Sequence, residues 1–180
     1  GLSTNFHAVG GLSDWYGTDF NPSQAGFAQY LGSECEHGPR IFDQSFEEFC
    51  KRSDLPDFDF IAMHGIWSWI SKENRNVIIE FVRKKLKVGG VLYISYNAMP
   101  GWANFAPLRH LLKRHTTQFG GDAVELGSRI DSAFEFTSEL FGIDSQFTQT
   151  SEGLFKRFGN FKKQDKNYLA HEFFKSNFFF

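Results

Sequence analysis

The spacing of apolar residues predicts a strand, a helix and a second strand in the middle of the chain. A short apolar run from Phe60 to Met63 is closed by His64-Gly65, which is typical of a buried strand. Residues 71–87 then repeat apolar positions at helical spacing. Residues 91–97 are rich in β-branched and aromatic side chains, which favours a strand. Because such crossovers join parallel strands, the three segments predict a βαβ unit.

The residues before this unit predict the same alternation of helices and strands. We expect helices over 1–10 and 47–51 and strands over 13–20 and 40–46. A further helix should begin at Asn21-Pro22, a capping residue followed by proline, and end at Gly32. The side chains that this helix is expected to turn inward are Phe27, Tyr30 and Leu31.

The residues after 100 predict helices only. The expected buried positions are Phe105, Leu108, Leu111 and Leu112 in a helix over 104–119, and Phe134, Leu140 and Phe141 in the looser pattern that follows. Residues 156–166 are basic and resemble a loop, which a solvated amphipathic surface explains better than a contact with RNA. The whole order predicts an α/β fold with a doubly wound, mostly parallel sheet and a helical C-terminal part.

Composition narrows the class of protein. The length of 180 residues suits an ordinary domain, and a net charge of -2 gives no reason to expect nucleic acid or an anionic membrane as partner. The two cysteines fit neither a disulfide framework nor a metal-ligand spacing. No apolar run approaches the roughly 20 residues of a membrane span. We therefore expect a cytoplasmic protein with no metal, no nucleic-acid partner and no membrane span.

Two acids stand at the ends of successive predicted strands. Asp19 ends the first strand and precedes a helix, the position where doubly wound folds bind ribose hydroxyls; the alternative is that it only caps the turn. Asp43, near the end of the next strand, could accept the exocyclic amine of an adenine, or it could be a solvated loop acid. The pair is a stronger signal for nucleoside binding than either acid alone.

Polar and aromatic residues also follow the strands of the βαβ unit. His64 and Gly65 begin the sequence HGIWSW, whose tryptophans could form a pocket for a sulfonium or amine or could simply pack in the core. Tyr96 and Asn97 close the neighbouring strand, where they could orient a nucleophile; the alternative is that Asn97 merely starts a turn.

Other motifs are missing or incomplete. The glycine-rich turn of a nucleotide site is absent, although Gly1-Leu2-Ser3 would fit as its last glycine and the start of the following helix. His171-Glu172 lacks the second histidine of a zinc-protease helix, and no serine elbow or phosphate-binding loop is present.

With these residues the chain resembles a class I S-adenosylmethionine-dependent methyltransferase. It is most similar to bacterial methyltransferases with a C-terminal methyltransferase regulatory domain, a group that includes rickettsial protein lysine methyltransferases. The matching segments are GTDFNPSQAGFA (17–28), FDFIAMHGIWSWIS (58–71), GGVLYISYNAMPGW (89–102) and NYLAHEF (167–173).

The resemblance implies a Rossmann-like fold and a role for each candidate residue. Asp19 would bind the ribose, Asp43 with Gln44 and Ser45 the adenine, and His64 and Gly65 the methionine end, with Gly1 and Phe20 as further cofactor-binding residues. Tyr96 and Asn97 would be catalytic. Residues 1–118 would form a partial cofactor-binding domain that lacks the family's first strand, and 119–180 a helical substrate-side lid that precedes further missing strands.

The predicted activity is methyl transfer from S-adenosylmethionine to a nitrogen or oxygen nucleophile. The acceptor stays open, with protein lysine, a small molecule and a lipid all among the candidates. One alternative is an inactive fragment or binding module with the methyltransferase fold. The other is an NAD-dependent oxidoreductase, since Asp19 suits either cofactor, but the aromatic HGIWSW segment favours the sulfonium.

Overall fold

Helices and strands alternate through the first hundred residues of the computed structural model, and helices follow. The structure describes residues 1–11, 13–119, 124–143, 152–174 and 178–180. The strands are β1 (Tyr16–Asp19), β2 (Arg40–Asp43), β3 (Phe58–Met63) and β4 (Leu86–Ile94). The helices are α1 (Leu2–Gly10), α2 (Pro22–Ser33), α3 (Phe46–Cys50), α4 (Lys72–Lys85), α5 (Met99–Trp102), α6 (Ala106–Gln118), α7 (Leu126–Gly142), α8 (Glu152–Phe161) and α9 (Lys166–Leu169). A 3₁₀ turn covers Ala103–Phe105 and a π-helical turn covers Ala170–Phe174.

The chain packs as two units, each with its own core. The first unit comprises residues 1–62 and 71–93, and the second comprises 63–70 and 94–180. These units group residues by packing. The functional division that the sequence suggests, between 1–118 and 119–180, stays a prediction.

The first sheet is a parallel pair, as predicted. β1 and β2 run in the same direction with Tyr16 opposite Arg40 and Asp19 opposite Asp43. The connection through α2 is fixed by Asn21, whose side chain accepts hydrogen bonds from the amides of Ser23 at 3.0 Å and Gln24 at 3.4 Å. The predicted start of this helix, with a cap followed by proline, is therefore confirmed.

The buried face of α2 differs from the prediction. Ala25, Ala28 and Gly32 are buried, whereas Phe27 and Tyr30 are each 61% exposed, so the expectation that these aromatic side chains turn inward is wrong. The reason is close packing of α1 on α2, since a Cβ atom placed on Gly1 would lie 2.1 Å from the Cβ of Ala28. Only small side chains leave room for two helices at this distance.

The second sheet pairs β3 with β4. Gly90 lies against the Asp59 carbonyl, and the Ser95 amide donates to the Met63 carbonyl at 3.0 Å. Because residue numbers rise together along both strands, the pairing is parallel. β4 begins directly after α4, so the expected strand over 91–97 starts too late and ends too late. Gly89 adopts a φ of +83° inside the strand, a backbone conformation that favours glycine.

The sequence predicts one continuous sheet, but the described residues form two separate two-stranded sheets. Side chains rather than backbone hydrogen bonds link β1 and β3. The ring centroids of Tyr16 and Phe58 are 5.6 Å apart, and those of Trp15 and Phe60 are 5.9 Å apart, both edge to face. The α/β order is therefore confirmed, and the doubly wound continuous sheet is not.

The helices after β4 build the core of the second unit. Its buried residues include Phe105, Leu108 and Leu112 from the helix predicted over 104–119, and Phe134 from α7. Leu140 is 39% exposed, so its predicted burial is wrong.

The basic segment 156–166 was expected to be a loop, but most of it belongs to α8. Phe158 and Phe161 are buried in the core, while Lys156 and Arg157 are exposed. The aromatic side chains are thus unavailable for stacking on RNA bases, and the interpretation as an amphipathic surface is confirmed.

Three further features bear on the expected class of protein. Among the described residues, no helix has the length and apolar character needed to cross a membrane. The same part of the chain holds no group of three or more His, Cys, Asp or Glu side chains placed to bind a metal ion. Both cysteines are free thiols, and burial raises the pKa of Cys50 to about 11, which keeps that thiol protonated at neutral pH.

We predict that Phe81→Ala strongly destabilises the first unit. Phe81 is 8% exposed and its ring lies 5.9 Å from that of Phe49 and 6.0 Å from that of Phe58. Truncation of such a side chain costs about 3–5 kcal/mol of unfolding free energy, which urea unfolding measures. Val88→Ala is the control, because Val88 is fully exposed. Equal losses in the two variants would show that Phe81 is not a core residue.

Candidate functional site

The predicted nucleoside-binding acids lie side by side in the first unit. Asp19 and Asp43 are opposite each other at the carboxyl ends of β1 and β2, on parallel strands that are about 4.8 Å apart in any such sheet. The Asp19 carbonyl accepts a hydrogen bond from the Gln44 amide at 3.2 Å, which fixes the chain just after Asp43. The register thus brings two carboxylates to one sheet edge, where ligands of open α/β sheets bind.

Asp19 also has a local structural role. Its Oδ1 atom accepts a hydrogen bond from the Asn21 amide at 2.9 Å, so the turn-capping interpretation is confirmed. A carboxylate has two oxygens and about four acceptor positions, so the cap does not exhaust its capacity. The ribose role stays a prediction, as does that of Asp43.

Ser45 is part of the cap of α3. Its amide and its hydroxyl donate to Glu48 Oε2, each at 2.8 Å, and its hydroxyl accepts from the Glu48 amide at 3.3 Å. The hydrogen bond from the Ser45 amide, and to a smaller extent that from the Ser45 hydroxyl, holds the pKa of Glu48 below its ordinary value. The sequence SFEE contains this capping box, which we did not identify from the sequence alone. Any contact of Ser45 with adenine would compete with this cap.

The remaining predicted cofactor residues of the first unit differ in their surroundings. Gly1 begins α1, and its carbonyl accepts from the Asn5 amide at 3.1 Å and from Asn5 Nδ2 at 2.9 Å. Phe20 is 75% exposed beside Asp19. Gln44 Oε1 accepts from Arg52 Nη1 at 3.4 Å. Gly1 therefore has a packing role, whereas Phe20 presents an apolar surface to solvent.

In the second unit, the residues after β3 and β4 lie next to each other. The Gly65 amide donates to Ser95 Oγ at 2.6 Å, and Gly65 has a φ of +71°, a conformation that favours glycine. His64 and Gly65 are both exposed. This hydrogen bond holds the His64-Gly65 turn beside Ser95, the residue before Tyr96.

A buried serine joins these strand ends. Ser68 is 3% exposed; its hydroxyl accepts from the Asn97 amide and its carbonyl accepts from the Phe178 amide, both at 2.8 Å. The Phe180 amide donates to the Asn97 carbonyl at 3.1 Å, and the Met99 amide donates to the Phe180 carbonyl at 2.8 Å. Asn97 is thus held by its backbone on both sides. No local sequence signal indicated the role of Ser68, because it depends on tertiary contacts.

Two exposed aromatic rings flank Asn97. The rings of Tyr96 and Phe180 meet edge to face with centroids 5.6 Å apart, and the residues are 53% and 50% exposed. An exposed aromatic pair beside a backbone-fixed amide side chain can accept an apolar or cationic group. Tyr96 and Asn97 are the predicted acceptor-side residues, and Phe180 is an addition that the sequence did not suggest.

Trp69 contacts two rings of the NYLAHEF segment. Its ring stacks on that of His171, with centroids 5.8 Å apart and an angle of 24°, and meets Tyr168 edge to face at 6.4 Å. Trp69 is half-buried and does not belong to the buried core, and both partner rings are exposed, so the core-packing and pocket interpretations both stay predictions. The contact also joins the HGIWSW and NYLAHEF segments, two of the segments on which the family resemblance depends.

Curated relatives match between 34% and 97% of this chain, and in each case only part of their own length. An uncharacterized protein of Synechocystis sp. is 41% identical over 177 residues, which cover 97% of this chain and 34% of that protein. Two uncharacterized proteins of Rickettsia prowazekii are 30% identical over 130 residues and 40% identical over 62 residues, covering 22% and 25% of their lengths. The matched part of the chain therefore spans 22% to 34% of the length of these relatives. No protein-family model matches it.

Solved structures define the class of fold. PKMT2 from Rickettsia typhi has a TM-score of 0.66 with 21% identity, over 93% of this chain and 31% of that one. PKMT2 in complex with AdoHcy has a TM-score of 0.68 with 21% identity, over 98% of this chain and 33% of that one. The chain has the fold of the corresponding part of PKMT2, which agrees with the predicted Rossmann-like, methyltransferase-type arrangement. The predicted missing strands and regulatory domain stay predictions.

We predict that Ser68→Ala loosens the segment around Asn97. Removal of the hydroxyl leaves the Asn97 amide without its acceptor, which costs about 1–3 kcal/mol of unfolding free energy. Hydrogen exchange of a peptide covering 96–99 should accelerate, and urea unfolding should shift to lower concentration. Ser33→Ala is the control, because the exposed Ser33 hydroxyl donates only within α2, to the Tyr30 carbonyl at 2.8 Å. Unchanged exchange at 96–99 would contradict the role of Ser68.

Proposed function

We propose that this chain is part of an S-adenosylmethionine-dependent methyltransferase that acts on a nitrogen or oxygen nucleophile, with a protein lysine amine as the favoured acceptor. The observation that carries the proposal is the register of Asp19 opposite Asp43 at the carboxyl ends of parallel strands. It occurs in a fold shared with a protein solved with AdoHcy, the product that S-adenosylmethionine leaves after methyl transfer.

The residues at the carboxyl ends of β1 and β2 would bind the nucleoside in this proposal. The Asp19 carboxylate would accept the ribose hydroxyls through the acceptor positions that its bond to Asn21 leaves. Asp43 would accept the adenine amine, with Gln44 and Ser45 beside it and the exposed ring of Phe20 covering an apolar face. Gly1 would keep α1 close to α2 and so keep the start of α1 in place. These residue types fit an adenosine group.

The residues that follow β3 and β4 carry the groups proposed for the methionine end and the acceptor. His64 and Gly65 are exposed at the end of β3, where the Gly65 amide is oriented by Ser95. Tyr96 and Asn97 offer oxygens to hold an acceptor amine, and the Tyr96–Phe180 ring pair offers a surface that tolerates its positive charge.

When bound, the cofactor would supply an activated methyl group to a neutral nitrogen or oxygen nucleophile, with AdoHcy as the leaving group and the acceptor's proton released to solvent. The residues of the chain then contribute mainly by position. Asn97 is fixed by hydrogen bonds at its amide and its carbonyl, so its side chain starts from a defined place. Holding the reacting groups in line is a large part of catalysis for such a displacement.

We predict that this chain binds S-adenosylmethionine and that Asp19→Ala weakens binding. Loss of charge-assisted hydrogen bonds to the ribose costs about 1.5–3 kcal/mol, or roughly tenfold to a hundredfold in Kd. Isothermal titration measures it. Asp19→Asn keeps an oxygen for the turn and separates the loss of charge from loss of the cap, and the exposed Asp14→Ala is the control.

Binding by Asp19→Ala within twofold of the unmodified chain would exclude the ribose role. Absence of heat with the unmodified chain would favour the binding-module alternative, and heat with NAD instead would favour the oxidoreductase.

We predict that Asn97→Ala lowers the methyl-transfer rate about tenfold to a hundredfold while cofactor affinity changes less, the pattern of a contact made in the transition state. The alanine variant keeps both backbone hydrogen bonds, so the turn should persist. AdoHcy release with poly-L-lysine as acceptor measures the rate, and the exposed Asn104→Ala is the control. Equal losses of affinity and rate would place Asn97 in the cofactor site, and no loss would make it a turn residue only.

A further inference from the structure

Arg52 is held in a fixed place beside the proposed adenine site of the first unit. Its guanidinium carbon lies 4.1 Å from the centre of the Phe42 ring, and its Nη2 atom donates to Asp54 Oδ2 at 2.5 Å. This hydrogen bond holds the pKa of Asp54 below its ordinary value, so the pair is charged at neutral pH. The Arg52 amide donates to the Phe49 carbonyl at 3.2 Å, which ties the backbone to α3.

Arg52 in turn holds the side chain of Gln44. The Nη1 atom of Arg52 donates to Gln44 Oε1 at 3.4 Å. A guanidinium has donors only, so it can bind only the oxygen of a side-chain amide. The contact therefore turns the Nε2 group of Gln44, which carries two N–H donors, away from Arg52.

The backbone of Gln44 is fixed as well. Its amide donates to the Asp19 carbonyl at 3.2 Å, and its carbonyl accepts from Thr18 Oγ1 at 2.5 Å. Backbone and side chain are thus held at three points, each by a different residue. A side chain held in this way has little conformational entropy to lose when a ligand binds.

The Nε2 group is the donor that the residues after Asp43 have left to offer. The Gln44 amide is used by Asp19, and the amide and hydroxyl of Ser45 both donate to Glu48. Among the described residues, the Gln44 side chain bonds to Arg52 alone, through its oxygen. Asp43 is exposed and its carboxylate offers acceptors only. An acceptor and a donor therefore stand on adjacent residues.

We propose that Arg52 is a positioning residue that sets base selectivity, because it directs the Gln44 Nε2 donor to the ring nitrogen N1 of adenine. This inference rests on the proposed function, in which Asp43 accepts the exocyclic amine. Adenine presents that amine beside an accepting N1, which matches an acceptor followed by a donor. Hypoxanthine presents a carbonyl beside an N–H, so both contacts would oppose like groups.

Isothermal titration of the full chain with AdoHcy and with S-inosylhomocysteine, its deaminated analogue, tests this role. We expect AdoHcy to bind at least about tenfold more tightly, because polar partners in a binding site discriminate against a base that leaves them unpaired. Arg52→Gln should lower this ratio at least about threefold, chiefly by weakening AdoHcy binding. Lys51→Gln is the matched control: it also removes one positive charge, but Lys51 is exposed and pairs with Glu47 at 2.5 Å.

Gln44→Glu keeps the test valid if Arg52→Gln impairs folding. The glutamate keeps an oxygen for Arg52 but has no N–H donor, so the ratio should fall as it does in Arg52→Gln. An unchanged ratio in Gln44→Glu would overturn the inference. Equal losses of affinity for both ligands in Arg52→Gln would overturn it too, because Arg52 would then have a structural role only.

Two further outcomes separate this inference from the proposed function. A chain that binds AdoHcy and its deaminated analogue equally well would overturn the inference and leave the proposed function in place. A chain that does not bind AdoHcy would overturn the proposed function and the inference with it.

Discussion

Parallel strand pairing is the constraint on which the candidate chemistry depends. Parallel strands end at the same edge of a sheet, so the residues that follow them are brought together regardless of their distance in sequence. In β1 and β2 this places Asp19 opposite Asp43. In β3 and β4 the same direction lets the Gly65 amide reach the Ser95 hydroxyl. The connecting helices make such pairing possible, because parallel strands cannot be joined by a tight turn.

Local caps contribute as much as the sheets to the positions of the candidate residues. Asp19 receives the Asn21 amide, and Ser45 exchanges hydrogen bonds with Glu48. Each bond fixes a backbone that would otherwise be free to move at a strand end. A side chain that orders its own loop starts binding with less conformational entropy to lose. Structural and binding roles of Asp19 are therefore compatible, whereas Ser45 would have to divide one hydroxyl between them.

The sequence predicts elements well where the signal is local and poorly where it depends on packing. The cap at Asn21 and the helical repeat of α4 need only neighbouring residues, and both appear at the expected places. The inward face of α2 could not be predicted, because contact with α1 favours Ala28 over the larger Phe27. α8 was missed since its lysines suggested a loop. For the candidate site, strand-end acids could be identified from sequence, but the contacts of Ser68 could not.

The hydrogen bonds around Asn97 connect packing to the proposed chemistry. Ser68 is buried, yet its hydroxyl and its carbonyl serve backbone amides of two different segments. A buried polar group is stable only when its hydrogen bonds are made, so this serine ties the order of one segment to that of the other. The Phe180 backbone closes the arrangement by bonding to Asn97 and Met99. The exposed rings of Tyr96 and Phe180 are thus positioned by backbone hydrogen bonds of the neighbouring residues as well as by their own edge-to-face contact.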